Sequence, residues 1–200
     1  MYLSRITLST AMAFGRRLAS DTYLLHQCIE AALPDDPRPL WRVENQDESE
    51  NLVVLAQSQF EPVWTKAFYP TTLISAEMRR VPSYETGERL AFRLLANPTK
   101  RDGDPREKSA RAKVVGILDP EVQVAWLTRK LDGAAQIQNV YLRQGLPIKA
   151  KKRGAATHSC HLPVLFEGDL VVADAGKLRE LVAAGIGRAK GYGFGLLSLA

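Results

Sequence analysis

Apolar positions along the first eighty-four residues repeat with two different periods. In MYLSRITLS (1–9), Tyr2, Ile6 and Leu8 fall on one side at a spacing of two, which predicts a β-strand with one buried face. Beyond Ser20 the spacing lengthens to three and four, and Leu25, Cys28, Ile29 and Ala32 form the stripe of an amphipathic helix. Ser20 or Asp21 can cap that helix, and Pro34 stops it after Leu33. Strand-like runs follow at 40–45, 51–58 and 71–80, with a short link holding Pro62 where a second helix could have stood. The order is βαββ(α)β.

After the turn-rich VPSYETGE (81–88) the pattern starts again. Leu90, Phe92, Leu94 and Ala96 alternate along RLAFRLLANP, and Asp119 with Pro120 marks the start of a helix through Leu131 that Gly133 ends. Strand-like runs at 136–144 and 161–174 come next, then a helix capped by Asp174 and ended by Gly185, then an apolar strand, GLLSLA (195–200). This half reads βαββαβ. Two successive units of that order predict an α+β chain of two tandem ferredoxin-like (RRM-like) βαββαβ domains, residues 1–84 and 85–200. The repeat lies in the order of elements, without residue-level internal identity.

Composition supports a packed chain. Apolar residues make up 46% and charged residues 24% of 200, the balance of a globular protein with a core. Two cysteines, Cys28 and Cys160, are too few for a disulfide framework and are expected as thiols. No apolar stretch approaches the ~20 residues of a membrane span, and the first thirty residues lack a signal-peptide pattern, so no membrane partner and a cytoplasmic location are expected.

Charge separates the two halves. Residues 1–84 hold eight Lys/Arg against ten Asp/Glu, and residues 85–200 hold nineteen against twelve, so the halves carry −2 and +7. The excess concentrates in KRDGDPREKSARAK (100–113), with Lys100, Arg101, Arg111 and Lys113, and in KAKKR (149–153), with Lys149, Lys151, Lys152 and Arg153. Polyanions such as nucleic acid are the usual reason for a basic stripe on a folded domain. A solvated face explains the first cluster equally well, since three acids dilute it. The second, four cations in five residues, favours nucleic acid.

The end of the chain, GIGRAKGYGFGLLSLA, has five glycines in eleven residues. A dinucleotide fingerprint needs a strand before its glycines and a helix after them. Here that order is reversed. Such a loop can still present N–H groups to a phosphate or let a nucleotide backbone lie close, with Gly187, Gly191 and Gly193 as its glycines and Arg188 and Lys190 supplying charge. A helix C-cap and a tight turn explain only one or two of the glycines. HSCH (158–161) offers three metal ligands but no further cluster to complete a tetrahedral set, so no metal or other cofactor is expected, and a hydrogen-bonded histidine at a strand edge is the better reading. On the first helix Tyr23 and His26 lie three apart, away from the apolar stripe. An imidazole titrates near neutrality, and a phenol beside it can orient a phosphate or share a proton. Taken alone, that pair reads as packing.

Together, MYLSRITL, YLLHQCI, FRLLANPTKR, VAWLTRKLDGAAQI and FEGDLVVADAGKLRELVAAGIGRAKGYGFGLLSLA resemble the CasE-type CRISPR precursor-RNA endoribonucleases of the RAMP superfamily, over essentially the whole chain. The resemblance implies two ferredoxin-like domains and a glycine-rich loop for RNA. It also implies binding of the CRISPR repeat stem-loop and cleavage at the 3′ base of the stem. The crRNA is then retained beside the other subunits of the type I-E surveillance complex. His26 and Tyr23 match the family's catalytic positions. Some relatives carry basic residues just after the histidine, where this chain has Gln27, Cys28 and Ile29. The chemistry implied is attack of a ribose 2′-hydroxyl on the adjacent phosphate, giving a 2′,3′-cyclic phosphate and a 5′-hydroxyl without a metal. His26 would be the acid or the base, and Tyr23 would take the complementary role or steady the phosphate. Two other classes remain: a hairpin-binding subunit that does not cut, which would need every basic and glycine feature but not His26, and a ferredoxin-like enzyme unrelated to RNA, which leaves KAKKR without a purpose.

Overall fold

The computed structural model describes residues 1–33, 39–44, 51–102, 113–150 and 159–200. The first unit runs β1 (Tyr2–Leu8), α1 (Ala13–Ser20), α2 (Thr22–Ala31), β2 (Leu40–Val43), β3 (Leu52–Ser58), the single-turn α3 (Trp64–Ala67) and β4 (Leu73–Arg80). The second runs β5 (Arg89–Ala96), the ribbon strands β6 (Thr99–Asp102) and β7 (Lys113–Gly116), α4 (Pro120–Leu131) and β8 (Ala135–Gln144). It continues with a second ribbon, β9 (Ile148–Ala150) and β10 (Ser159–His161), then β11 (Val164–Val172), α5 (Ala175–Ala184), a 3-10 turn over Lys190–Tyr192, and β12 (Leu197–Leu199).

Each unit builds a four-stranded sheet of antiparallel neighbours, in the orders β2-β3-β1-β4 and β12-β5-β11-β8. Both sheets gather strands that are distant in sequence around a central antiparallel pair. These are tandem ferredoxin-like folds, as the element pattern predicts, and helix α3 stands where the Pro62 link leaves room for one. Among the described residues no helix is long and apolar enough to cross a membrane.

Local chemistry starts the helices where the sequence places them. The Asp21 carboxylate accepts from the N–H groups of Tyr23 and Leu24, both at 3.0 Å, and so caps α2. Asp119 and Asp174 cap α4 and α5 in the same way. Leu25 and Ile29 then close onto Ile6, Leu8, Trp41 and Val54 in the first core. Burial of each such aliphatic side chain contributes about 1.5–3 kcal/mol. In β5 the alternating Leu90, Phe92, Leu94 and Ala96 all face the second core, against Trp126, Leu127 and Phe166.

Several features differ from the expectation, among them the ribbon strands β6, β7 and β9, which the sequence pattern does not predict. Helix α1 has no predicted counterpart. Its apolar face is only Phe14 and Leu18, and Gly15 is required because a Cβ there would lie 1.7 Å from the Ser9 carbonyl oxygen. The strand expected over 161–174 is shorter, β11 at Val164–Val172, and His161 instead ends the short β10, because Pro163 between them offers no N–H to a ladder. Strand β10 ends before it in the ribbon with β9, and β11 begins after it between β5 and β8.

The units are joined through Arg42 on β2, only 2% exposed. Its Nη1 donates to the carbonyls of Arg93 and Leu196, both at 3.2 Å, and its Nη2 donates to Ser198 Oγ at 3.0 Å. Its Nε donates to Glu44 Oε1 at 2.9 Å, and Glu44 Oε2 accepts from Arg93 Nη1 at 2.9 Å. Burial lowers the Arg42 pKa, and the Glu44 carboxylate opposes that shift. A second buried tie runs from Gln57 Nε2 to the Val182 carbonyl, 2.8 Å away. Removing the guanidinium leaves Glu44 with Arg93 alone and takes the donor from two carbonyls at a largely buried junction. Arg42→Ala is therefore expected to lower stability by about 3–5 kcal/mol in urea unfolding, against less than about 1 kcal/mol for removal of an exposed ion-pair arginine such as Arg89.

Candidate RNA interface and active site

His26 projects from α2 toward the second unit. Its ring stacks on buried Trp41 with centroids 6.4 Å apart and planes 22° from parallel. The side chain is 19% exposed, and Nε2 lies 3.2 Å from Glu30 Oε1 one turn further along the helix. Nδ1 is buried and takes no hydrogen bond among the described residues. Nε2 is thus the nitrogen placed to exchange a proton with a ligand. Tyr23, one turn earlier, is half-buried.

The wall facing His26 is the glycine-rich loop, Gly185 to Gly195. The loop closes on itself, with the Ile186 N–H donating to the Gly195 carbonyl at 2.8 Å, and the Gly195 N–H anchors it to the Leu95 carbonyl at 2.8 Å. A Cβ on Gly191 would lie 3.1 Å from His26 Nε2. Gly193 has φ +83°, and a Cβ there would lie 2.9 Å from Trp41. Gly185 is the C-cap of α5, as the simpler reading of the loop has it, yet the glycines that follow fit the loop against His26 and Trp41. Trp41 therefore supports the histidine on one side and the loop on the other. Sequence reading did not single it out, because its role depends on a contact between units.

The other predicted residues divide into groups. Lys100, Arg101 and Lys113 lie on the β6–β7 ribbon, all exposed. Lys100 and Arg101 line a cleft together with Gly187, Arg188 and Lys190. Lys130 and Trp126 on α4 line the same cleft, and the sequence reading had named neither as a site residue. Lys190 also donates from Nζ to the Ala184 carbonyl at the end of α5, at 2.6 Å, which turns its amine toward that helix. Arg111, Lys151, Lys152, Arg153 and the side chain of Lys149 lie outside the described residues. Of the two basic clusters, Lys100 and Arg101 lie on β6, Lys113 on β7 and the backbone of Lys149 on β9.

His161 of the HSCH stretch is a hydrogen-bonded strand histidine. Its Nδ1 lies 3.1 Å from Asn97 Nδ2, its ring packs on Tyr192 with centroids 4.9 Å apart, and burial lowers its pKa. His158 lies outside the described residues. Burial raises the Cys28 thiol pKa, so this neighbour of His26 is held as a thiol.

The chain as a whole has counterparts among known proteins. Residues 1–200 match the family described as CRISPR associated protein. The Cascade subunit CasE of Escherichia coli K12 is 36% identical over 213 residues, covering 100% of this chain and 99% of its own. The CRISPR-associated endoribonuclease Cse3 of Thermus thermophilus is 32% identical over 216 residues, covering 100% of both. Among solved structures, CRISPR endoribonuclease Cse3 bound to a 19-nucleotide RNA superposes with a TM-score of 0.85 at 30% identity over the full length of both chains. Cas6e of Escherichia coli K-12 superposes with a TM-score of 0.77 at 34% identity, covering 100% of this chain and 99% of that one. The chain belongs to the CRISPR-associated protein family, and within it to the CasE/Cse3 type of the type I-E systems.

The geometry makes the loop's fit to Trp41 testable. Gly193→Ala forces a side chain into the left-handed region and against the indole. It is expected to cost about 1–3 kcal/mol in thermal or urea unfolding, while Gly87→Ala, at φ +88° but with open space around it, should lose only the backbone part of that cost.

Proposed function

We propose that this protein is a metal-independent endoribonuclease of the cytoplasm that binds the stem-loop of CRISPR repeat RNA and cuts the precursor at the 3′ base of the stem. It then holds the crRNA as a subunit of the type I-E surveillance complex. The catalytic helix belongs to residues 1–84, and the basic ribbons and the glycine-rich loop belong to residues 85–200. The observation that carries this reading is the close approach of Gly191 to His26, where a Cβ would lie 3.1 Å from Nε2, because it puts the loop best suited to an RNA backbone beside the group best suited to proton transfer. The family relationship supports it: the relatives include an endoribonuclease, a Cascade subunit and an RNA-bound structure.

In the reaction, the 2′-hydroxyl loses its proton and its oxygen attacks the adjacent phosphorus. The P–O5′ bond breaks, and the departing O5′ takes up a proton. The nucleophile belongs to the substrate, so the protein has to align it and move two protons. His26 Nε2 serves as one proton carrier. Tyr23 takes the complementary role or steadies the phosphate. Gln27, Cys28 and Ile29 bring no charge, so cationic support for the phosphate falls to the second unit, where Arg188 of the glycine loop is exposed.

Two outcomes test this. Cleavage of a repeat hairpin should persist in excess chelator, and a 2′-deoxy sugar at the cut should abolish it. Activity lost in chelator and restored by a divalent metal would refute the mechanism. His26→Ala should lower the single-turnover rate about a hundredfold or more while leaving hairpin affinity near that of the unaltered protein. An unchanged rate would assign catalysis elsewhere, and binding with no cleavage by the unaltered protein would make this a hairpin-binding subunit.

A further inference from the structure

A cleft of about 510 Å³ opens in the second unit between the β6–β7 ribbon, α4 and the glycine-rich loop. The ribbon register pairs Arg101 with Val114 and Thr99 with Gly116, so Thr99, Arg101 and Val114 share a face, and all three line the cleft. Lys130 reaches it from α4 and Arg188 from the loop. Arg101, Lys130 and Arg188 are exposed, none pairs with a carboxylate among the described residues, and no Asp or Glu among them lines the cleft. The floor is apolar, formed by Val114, Trp126, Leu181 and Ile186. Gly187 lies against the Trp126 ring, where a Cβ would stand 3.2 Å from the indole, so the loop comes this close to α4 only with glycine at that position.

We propose that this cleft holds one unpaired nucleotide of the RNA next to the cut, with the base on the apolar floor and the flanking phosphates on Arg101, Lys130 and Arg188. The proposal rests on the reading of this chain as a hairpin-RNA endoribonuclease. A duplex offers phosphates on a convex surface and keeps its base faces stacked, so it has no use for a recessed apolar floor. An unpaired nucleotide exposes a π-face and is held by apolar contact together with a cationic rim. The position next to the cut follows from the loop. Lys190 lines the cleft, while the following residue, Gly191, packs against His26 Nε2, so one turn of backbone is the common wall of both sites. A strand leaving the histidine along that wall runs toward the cleft.

The test compares equilibrium affinities for a repeat hairpin with no flank and for the same hairpin carrying two unpaired nucleotides at the cut, made non-cleavable by a 2′-deoxy sugar. The flank should tighten binding by about tenfold, the scale of one held base. In Lys130→Glu that ratio should fall below about threefold. A 2-aminopurine at the first unpaired position should change its fluorescence on binding to the unaltered protein and change less with the variant. A flank ratio near one in the unaltered protein overturns the proposal. So does a variant that weakens both RNAs by the same factor, which would give the cleft to the duplex. Failure of the hairpin itself to bind would instead refute the underlying reading. Circular dichroism of Lys130→Glu, together with the milder Lys130→Gln as a second variant, separates a lost site from a lost fold.

Discussion

A buried guanidinium at the junction of two domains is costly unless all its donors are met, and Arg42 has nearly all of them met from both sides. Glu44 lies on its own unit, while the carbonyls of Arg93 and Leu196 and the Ser198 hydroxyl belong to the other. Because the planar fork fits only one arrangement of those acceptors, the interaction fixes orientation as well as proximity. The His26 site depends on that orientation. Trp41 precedes Arg42 in β2 and carries the histidine ring, and Leu196 lies just beyond the glycine-rich loop. A small rotation at Arg42 would open the gap between Gly191 and Nε2.

The glycine-rich loop is shaped by this packing more than by its own preferences. Ala189 holds φ +66°, the one non-glycine residue at positive φ among those described. Such a conformation costs on the order of 1 kcal/mol and survives where surroundings over-determine it. Here the closure of Ile186 on Gly195 and the bond from Lys190 to the end of α5 supply that constraint.

Much of the fold was legible because its determinants are local. The alternation in β5, the stripe of α2 and the three aspartate caps each follow from residues within one or two turns. The unpredicted parts have other causes. The ribbons β6–β7 and β9–β10 stand apart from the main sheets, and their strands are only three or four residues long, too short for an alternating apolar face to mark them. Pro163 inside an apolar run marked the break between β10 and β11, and the apolar pattern around it hid that break. At the site, His26 and the glycines were named from the sequence, whereas Trp41, Trp126 and Lys130 were not. Their significance lies in contacts between residues far apart in the chain, which no spacing rule reports.

The contact of Gly191 with His26 spans nearly the whole chain, and this bears on how the protein is made. Synthesis delivers the histidine helix well before the loop. A nascent first unit can fold with its core complete, yet the wall opposite His26 is still missing. Long-range closure of this kind is also a slow step in folding. A partly synthesised chain, or a fragment nicked between the units, would therefore carry the histidine without a shaped site. In such a molecule the surroundings of His26 take shape only once the second unit has folded against the first.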